Sequence, residues 1–289
     1  MLRYLANNDI DKLQWDACID DAVNAMPYAY SWYLDIVTMG KWDAIVIDNY
    51  QAVFPVPVKS FLLYKKVYQP FFVQQLGLFV RQEKYFSMLQ DCVQLLQEKQ
   101  KNIYLHLNTA NELPGAKKRL THLLSLHEEY ALIAAEYGTA VKKNLKLSAK
   151  HLITISNAIN VTIFVTFIKR YVGDKAKELK EKDFQTLEQL IEICMKKDKG
   201  FLCCAKNTSG EVLSAVFFLH AKHSLIYLVA GSSQQGRKLQ AMTLLLDNVI
   251  RQFAHTHTIL DFEGSMIPGI AHFYKSFGGK EITFPVLIK

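Results

Sequence analysis

No stretch of this 289-residue chain offers the roughly 18 uninterrupted apolar residues that a membrane-spanning helix requires, and the longest apolar-looking run, Asn160 to Ile168, falls well short. The N-terminal residues MLRYLANNDIDKLQW contain no apolar run of signal-peptide length. Cysteine is scarce: Cys18, Cys92, Cys194, Cys203 and Cys204 are an odd number, with no CxxC pair and no histidine at metal-ligand spacing. Those absences argue against a disulfide framework and a zinc site, and they lead us to expect a cytoplasmic protein with no membrane span and no metal. A GxSxG nucleophile elbow and a GxGxxG dinucleotide fingerprint are also missing, and no low-complexity segment occurs. The nine histidines are scattered, which suits surface or capping roles.

What is present is an ordinary folded composition, 50% apolar and 21% charged. The length is generous for one core and comfortable for two. Lys and Arg number 34 against 27 Asp and Glu, giving +7, which favours anionic partners without selecting one. The basic residues fall in short clusters, Lys117-Lys118-Arg119, Lys142-Lys143 and Lys196-Lys197, beside apolar positions of helical spacing, and read as solvated helix faces.

Apolar spacing predicts helix over residues 9–39, then a hairpin from WDAIVID and AVFPVPV, split by Asn49-Tyr50. The aromatic stretch VYQPFFVQQLGLF reads as strand, Lys84 to Gln100 as amphipathic helix and IYLHLN as strand. LTHLLSLHEEYALI leans toward strand. The basic segment Tyr137 to Lys150 is helix-favouring and reads as a connector, which places domains at 1–140 and 141–289. Beyond it come two helices, the strands FLCCAK, VLSAVFFLH and SLIYLVAG joined by short turns, and a helix from about Arg237 to Ala254. Strand TILDFEG, helix PGIAHFYKSF and strand EITFPVLI close the chain. Both halves run helix, antiparallel strands, helix, strand, which reads as a diverged duplication of an α+β unit.

Between the strand LIYLV and the next helix lies AGSSQQGRKLQA. Its spacing from Gly231 to Gly236 is that of a P-loop, but Arg237 and Lys238 stand where that motif requires Lys and then Ser or Thr. A turn of small residues at a helix N-terminus can still hold an anion on backbone N–H groups, with Ser232, Ser233, Gly236, Arg237 and Lys238 supplying the site. The same residues also suit a solvated turn whose serines cap the helix.

LIYLVAGSSQQGRKLQA followed by IAHFYKSFGG resembles the core of the GNAT acyltransferase superfamily. DFEGS with IAHFYKSFGG is similar to the C-terminal signature of the Fem-type peptidyltransferases and their FemAB-like relatives, and VKKNLKLSAK resembles their inter-domain segment. The resemblance implies two tandem GNAT-like domains, each a mostly antiparallel sheet flanked by helices. It further implies an acyl donor in the second domain, acyl-CoA with acetyl-CoA as the default, whose pyrophosphate the 231–241 loop would hold. The lysine of the family's FKxxFGG falls on Tyr274, with Lys275 one place later. Fem enzymes associate that lysine with aminoacyl-tRNA, whereas Tyr274 resembles the tyrosine of simpler acetyltransferases that protonates a leaving thiolate.

Acyl transfer to an amine needs a base, a polarised carbonyl and support for the leaving sulfur. The period of two along ILDFEG puts Asp261 and Glu263 on one face, opposite Leu260 and Phe262. Glu263 is the candidate base and Tyr274 the candidate acid. Asp261, Ser265 and Lys275 are candidates for the acceptor, and Trp32, Tyr33, Gln74 and Gln75 resemble first-domain positions that line the inter-domain cleft of FemAB-like proteins. The expected activity is N-acyl transfer to a small-molecule or peptide amine. The alternatives are an aminoacyl-tRNA-dependent peptidyltransferase acting on a peptide or cell-envelope precursor, and a non-catalytic binding module.

Overall fold

The runs WDAIVID and AVFPVPV do form a hairpin in the computed structural model, which describes residues 1–60, 65–172, 178–221, 223–264 and 266–289. Its turn, Asp48-Asn49-Tyr50, has φ of 44°, 54° and 63°, a left-handed conformation that Asn and Asp tolerate and Tyr rarely adopts. By contacts the chain falls into two compact units, Met1–Leu120 with Ile282–Lys289, and Thr121–Glu281.

The first unit opens with β1 (Leu2–Leu5), α1 (Lys12–Asp21) and α2 (Ser31–Thr38), where the sequence suggested continuous helical spacing. The hairpin strands β2 (Trp42–Ile47) and β3 (Ala52–Ser60) follow, then β4 (Lys65–Val67), β5 (Phe79–Val80), α3 (Leu89–Lys99) and β6 (Tyr104–His106). Strands run in the order β1-β2-β3-β4, with β5 also on β3. Pro55 and Pro57 face Ala44 and Trp42 across the hairpin. Lying two apart, they lack N–H groups on the same edge, which lets β3 carry both. The aromatic stretch 67–79 is not a strand: only its two ends belong to β4 and β5, and Phe72 and Gly77, with φ of 62° and 93°, turn the chain between them.

Strand β7 (Lys117–Ser125) leads into the second unit. There follow α4 (Tyr130–Ala135), α5 (Thr139–Ser148), β8 (Thr154–Ser156), α6 (Val161–Val172), α7 (Glu181–Lys196), β9 (Gly200–Lys206), β10 (Val212–Ala221) and β11 (Ser224–Ser232). A one-turn α8 (Gln234–Lys238), α9 (Ala241–Phe253), β12 (Ile259–Asp261) and α10 (Pro268–Ser276) complete the unit, and β13 (Lys280–Ile288) returns to pair with β6. The sheet order is β7-β12-β11-β10-β9-β8. All neighbours are antiparallel except β11 and β12, whose parallel pairing requires the crossover through α8 and α9.

Helix α9 buries Leu245, Leu246, Val249 and Ile250 against Val216, Phe218, Leu225 and Tyr227 of the sheet. Leu124, Leu126, Ile133, Tyr137 and Val141 join that core, so residues 121–141 pack with the second unit. Helix α6 covers the opposite face, where Ile168 and Val172 close on Gly231. The architecture is the expected α+β one, antiparallel sheets flanked by helices.

Candidate active site

Strand β11 is nine residues long and pairs with β10 from Ser224 to Ser232, but its other edge meets β12 only at Ser224, Leu225 and Ile226. Past Ile226 the two parallel strands part. Among the described residues, the β11 edge from Tyr227 onward has no strand beside it, so its backbone N–H and C=O groups there lack ladder partners. A β-bulge sits at the same place: Phe217 pairs with Val229 and Phe218 with Tyr227, leaving Leu228 as the extra residue. The bulge exchanges the faces of the strand. Leu225 and Tyr227 face the α9 core before it, whereas Ala230 does so after it and Gly231 turns toward α6.

Asp261, the last residue of β12, stands at the mouth of this gap. Its Oδ1 accepts hydrogen bonds from the Thr121 hydroxyl at 2.5 Å and from the Glu263 backbone N–H at 2.8 Å. The second bond is the two-residue closure by which Asp shapes a turn. It holds Glu263 at φ 57°, followed by Gly264 at φ 49°. A left-handed Glu is unfavourable by about 1–3 kcal/mol, a conformation retained where the surroundings over-determine it. The strand alternation expected through Glu263 therefore stops at Asp261, because the chain leaves extended geometry there.

Burial pushes the Asp261 carboxyl up to about 6, against the lowering pull of the Thr121 and Glu263 hydrogen bonds. The native state thus holds this proton more tightly than the unfolded chain between the ordinary carboxylate range and pH 6, and stability from this group falls as pH rises through that window. Asp261→Asn cannot titrate. The difference in unfolding free energy between wild type and this variant should therefore move against the wild type by about 2–3 kcal/mol from roughly pH 4 to roughly pH 8, on top of any fixed cost of the amide. Urea unfolding of both proteins across that range measures it, and a flat difference would show that the carboxyl is not desolvated.

Tyr274, on α10, is 8% exposed and stacks on Phe262, with ring centroids 4.9 Å apart and planes at 18°. Tyr227 meets it edge-on at 5.9 Å. Burial raises the Tyr274 pKa, and the negative charges of Glu263 and then Asp261 raise it further, so the phenol stays protonated beside two carboxylates. The structure thus gathers Asp261, Glu263 and Tyr274 around the point where β11 and β12 part.

Two neighbours were not legible in the sequence. Thr121 reaches Asp261 across 140 positions of chain. His122, next to it on β7, is fully buried with neither ring nitrogen hydrogen-bonded among the described residues, and its ring lies 5.9 Å from that of Tyr274. Burial, then the charge of Lys275, holds its pKa below the usual histidine value. His106, in the first unit, is buried too and pushed down to about 4, so surface roles do not describe all the histidines.

In the segment after β11, the Ser233 hydroxyl accepts from the Gly236 N–H at 3.0 Å and caps α8. The Ser232 hydroxyl shares a 2.8 Å hydrogen bond with Ser214, and the Arg237 guanidinium donates to the Ser232 carbonyl. Arg237 and Lys238 are exposed in the last turn of α8. The single helix expected from Arg237 onward is two helices, because Gln240 takes φ 56° between α8 and α9. Both glycines have packing reasons: a Cβ at Gly231 would press on α6, and one at Gly236 would strike the Leu213 carbonyl.

Lys275 pairs with Glu281 at 2.5 Å. Ser265 lies outside the described residues. In the first unit, the buried Tyr33 donates its hydroxyl to the Phe72 carbonyl, and Trp32 stacks on Tyr30 at 5.7 Å. Gln75 is fully buried, donating to Gln74 and accepting from the Thr109 N–H. Among the described residues no group of three or more His, Cys, Asp or Glu could hold a metal ion, and no helix is long and apolar enough to cross a membrane.

The sequence matches no protein-family model and no curated protein. Solved structures do match. The crystal structure of FemX superimposes with a TM-score of 0.72 at 13% identity, over 97% of this chain and 96% of that one. The C-terminal domain of a putative lysylphosphatidylglycerol synthetase from Agrobacterium fabrum gives 0.58 at 8% identity, over 98% and 92%. L-PGS from Bacillus licheniformis gives 0.54 at 8% identity, over 96% and 92%. The chain therefore has the FemX fold, in keeping with the GNAT and FemAB-like resemblance of its DFEGS and IAHFYKSFGG segments.

Proposed function

We propose that the second unit is the donor module of a FemAB-like N-acyltransferase that moves an acyl group from a CoA thioester to an amine. The observation that carries this reading is the parting of β11 and β12 at Ile226 and Asp261. An extended donor with amide groups can take the missing strand's place and satisfy the free edge of β11, as added strands do at open sheet edges. The bulge at Leu228 leaves backbone out of the ladder where a thioester carbonyl needs a fixed donor. Arg237 and Lys238 supply positive charge for the donor's phosphates.

In the reaction, the amine nitrogen bonds to the thioester carbon, the carbon–sulfur bond breaks, and Glu263 takes the proton that the nitrogen loses. Tyr274 keeps its proton at neutral pH, because its pKa is raised. Its phenol therefore stabilises the departing thiolate as a hydrogen-bond donor and does not transfer its proton outright. Asp261 acts through its hydrogen bond to Glu263 and is a positioning residue.

Titration with acetyl-CoA and longer acyl-CoAs should raise the melting temperature, since a ligand at about 100 times its Kd adds roughly 2.7 kcal/mol to the folded state. Free thiol should then appear with a suitable amine. Neither stabilisation nor thiol release across a panel of acyl-CoAs and amines would sink the thioester donor. The net charge of +7 also suits a donor carried on RNA, and the same base serves an aminoacyl ester. Transfer that requires intact aminoacyl-tRNA and ignores acyl-CoA would establish that second reading, and inactivity with both would leave a binding module.

A further inference from the structure

From Tyr137 to Val172 the chain carries six Lys or Arg and no Asp or Glu, almost the whole of its net charge. Four of those lysines belong to one surface. Helix α5 buries Val141 and Ser148 and packs Leu145 on the α9 core. At about 100° per residue, its opposite side presents Lys142, Lys143, Lys146 and, in the turn that follows, Lys150. All four are exposed, and none is in a salt bridge among the described residues. Lys142 donates to the Ala135 carbonyl, which leaves the other three ammonium groups in water. Leu147 stands beside these lysines on the helix at 37% exposure, and Leu152, two residues past Lys150, is 80% exposed. Helix α7 shows the ordinary alternative, with Lys182 and Lys196 interspersed among Glu181, Asp183, Glu188 and Glu192.

We infer that this face, Lys142 to Leu152, docks on an anionic lipid surface. The lysines match a negatively charged headgroup layer, and the leucines sit where side chains enter the boundary between headgroups and acyl chains. The composition disfavours RNA as the occupant. Residues 137–152 contain no arginine, and their one Phe, Tyr or Trp, Tyr137, is 3% exposed, so forked phosphate recognition lacks its usual side chain and base stacking is left to the exposed His151 alone. Exposed leucines contribute nothing to phosphodiester binding. The inference is independent of the acyl-transfer reading and stands or falls without it.

Sedimentation of the full chain with vesicles of phosphatidylcholine containing roughly a third phosphatidylglycerol tests it, with pure phosphatidylcholine as the control. Binding should require the anionic lipid and weaken as salt rises. Each lysine near such a surface is worth about fivefold in partitioning, so Lys146→Gln with Lys150→Gln should cost roughly 25-fold. The same change of charge made on α7, Lys182→Gln with Lys196→Gln, should cost little. Leu152→Ser, at a position too exposed to affect folding, should weaken binding further and should do so at high salt as well. Equal loss from the α7 pair, no effect of Leu152→Ser, or no anionic-vesicle binding at low salt would overturn the inference. Binding of total tRNA that the α5 lysine pair abolishes, without vesicle binding, would overturn it in favour of RNA.

Discussion

Replacing Glu263 with glutamine is expected to lower kcat/KM for acyl transfer by about 10²- to 10⁴-fold, the usual contribution of a positioned general base. The substitution keeps the shape of the side chain and the backbone bond to Asp261, so the turn should survive and the melting temperature should change little. Two features make this the residue to test. Glu263 sits in left-handed backbone that its side chain does not favour, and its charge is the larger of the two carboxylate effects on Tyr274. Adding Tyr274→Phe should then cost less than it does in the wild type, because the two groups serve one transition state. A loss of less than about threefold in kcat/KM would remove Glu263 from the chemistry and turn attention to His122, which lies beside the same phenol.

Gly236→Ala is expected to destabilise the fold by about 3 kcal/mol, the upper end of the usual range for overpacking. An added Cβ would lie 1.9 Å from the Leu213 carbonyl oxygen and 2.7 Å from its carbon, both backbone atoms of β10 that cannot rotate away. Helix α8 would have to lift off the strand, taking Ser233, Arg237 and Lys238 with it. Gly269→Ala provides the contrast. Nothing lies within 4 Å of its added Cβ, and the residue is helical, so the change should stabilise by up to about 1 kcal/mol. Denaturant unfolding of the two variants measures both, and equal effects would mean that α8 does not sit on β10 as described. The comparison also separates two explanations for the glycine in QQGRK. A loss of stability without any ligand present ties it to packing, whereas a variant as stable as the parent but blind to acyl-CoA would tie it to the phosphates.

The hairpin of β2 and β3, the three antiparallel strands β9 to β11 and the helix bearing Tyr274 could all be read along the chain. In each, the apolar period and the turn residues lie within the element itself, so local sequence suffices. Asp261 and Glu263 are candidates through the period of ILDFEG and Tyr274 through the family resemblance of IAHFYKSFGG, and the three stand within 14 positions of one another. The aromatic stretch 67–79 shows the limit: its composition suits a strand, yet Phe72 and Gly77 adopt turn conformations that no period records.

By itself, then, the sequence determined most of the element types and the α+β class, because these follow from side-chain periodicity over short spans. Tertiary structure alone decided that β12 leaves β11 after three residue pairs, that Leu228 bulges at that point, and that Thr121 and His122 arrive there from β7. It also decided that the strand beneath leaves no room for a Cβ at Gly236 and that α6 packs closely over Gly231. Each of these depends on atoms brought together from distant parts of the chain, and such distances are set by how whole elements pack and not by the residues on either side.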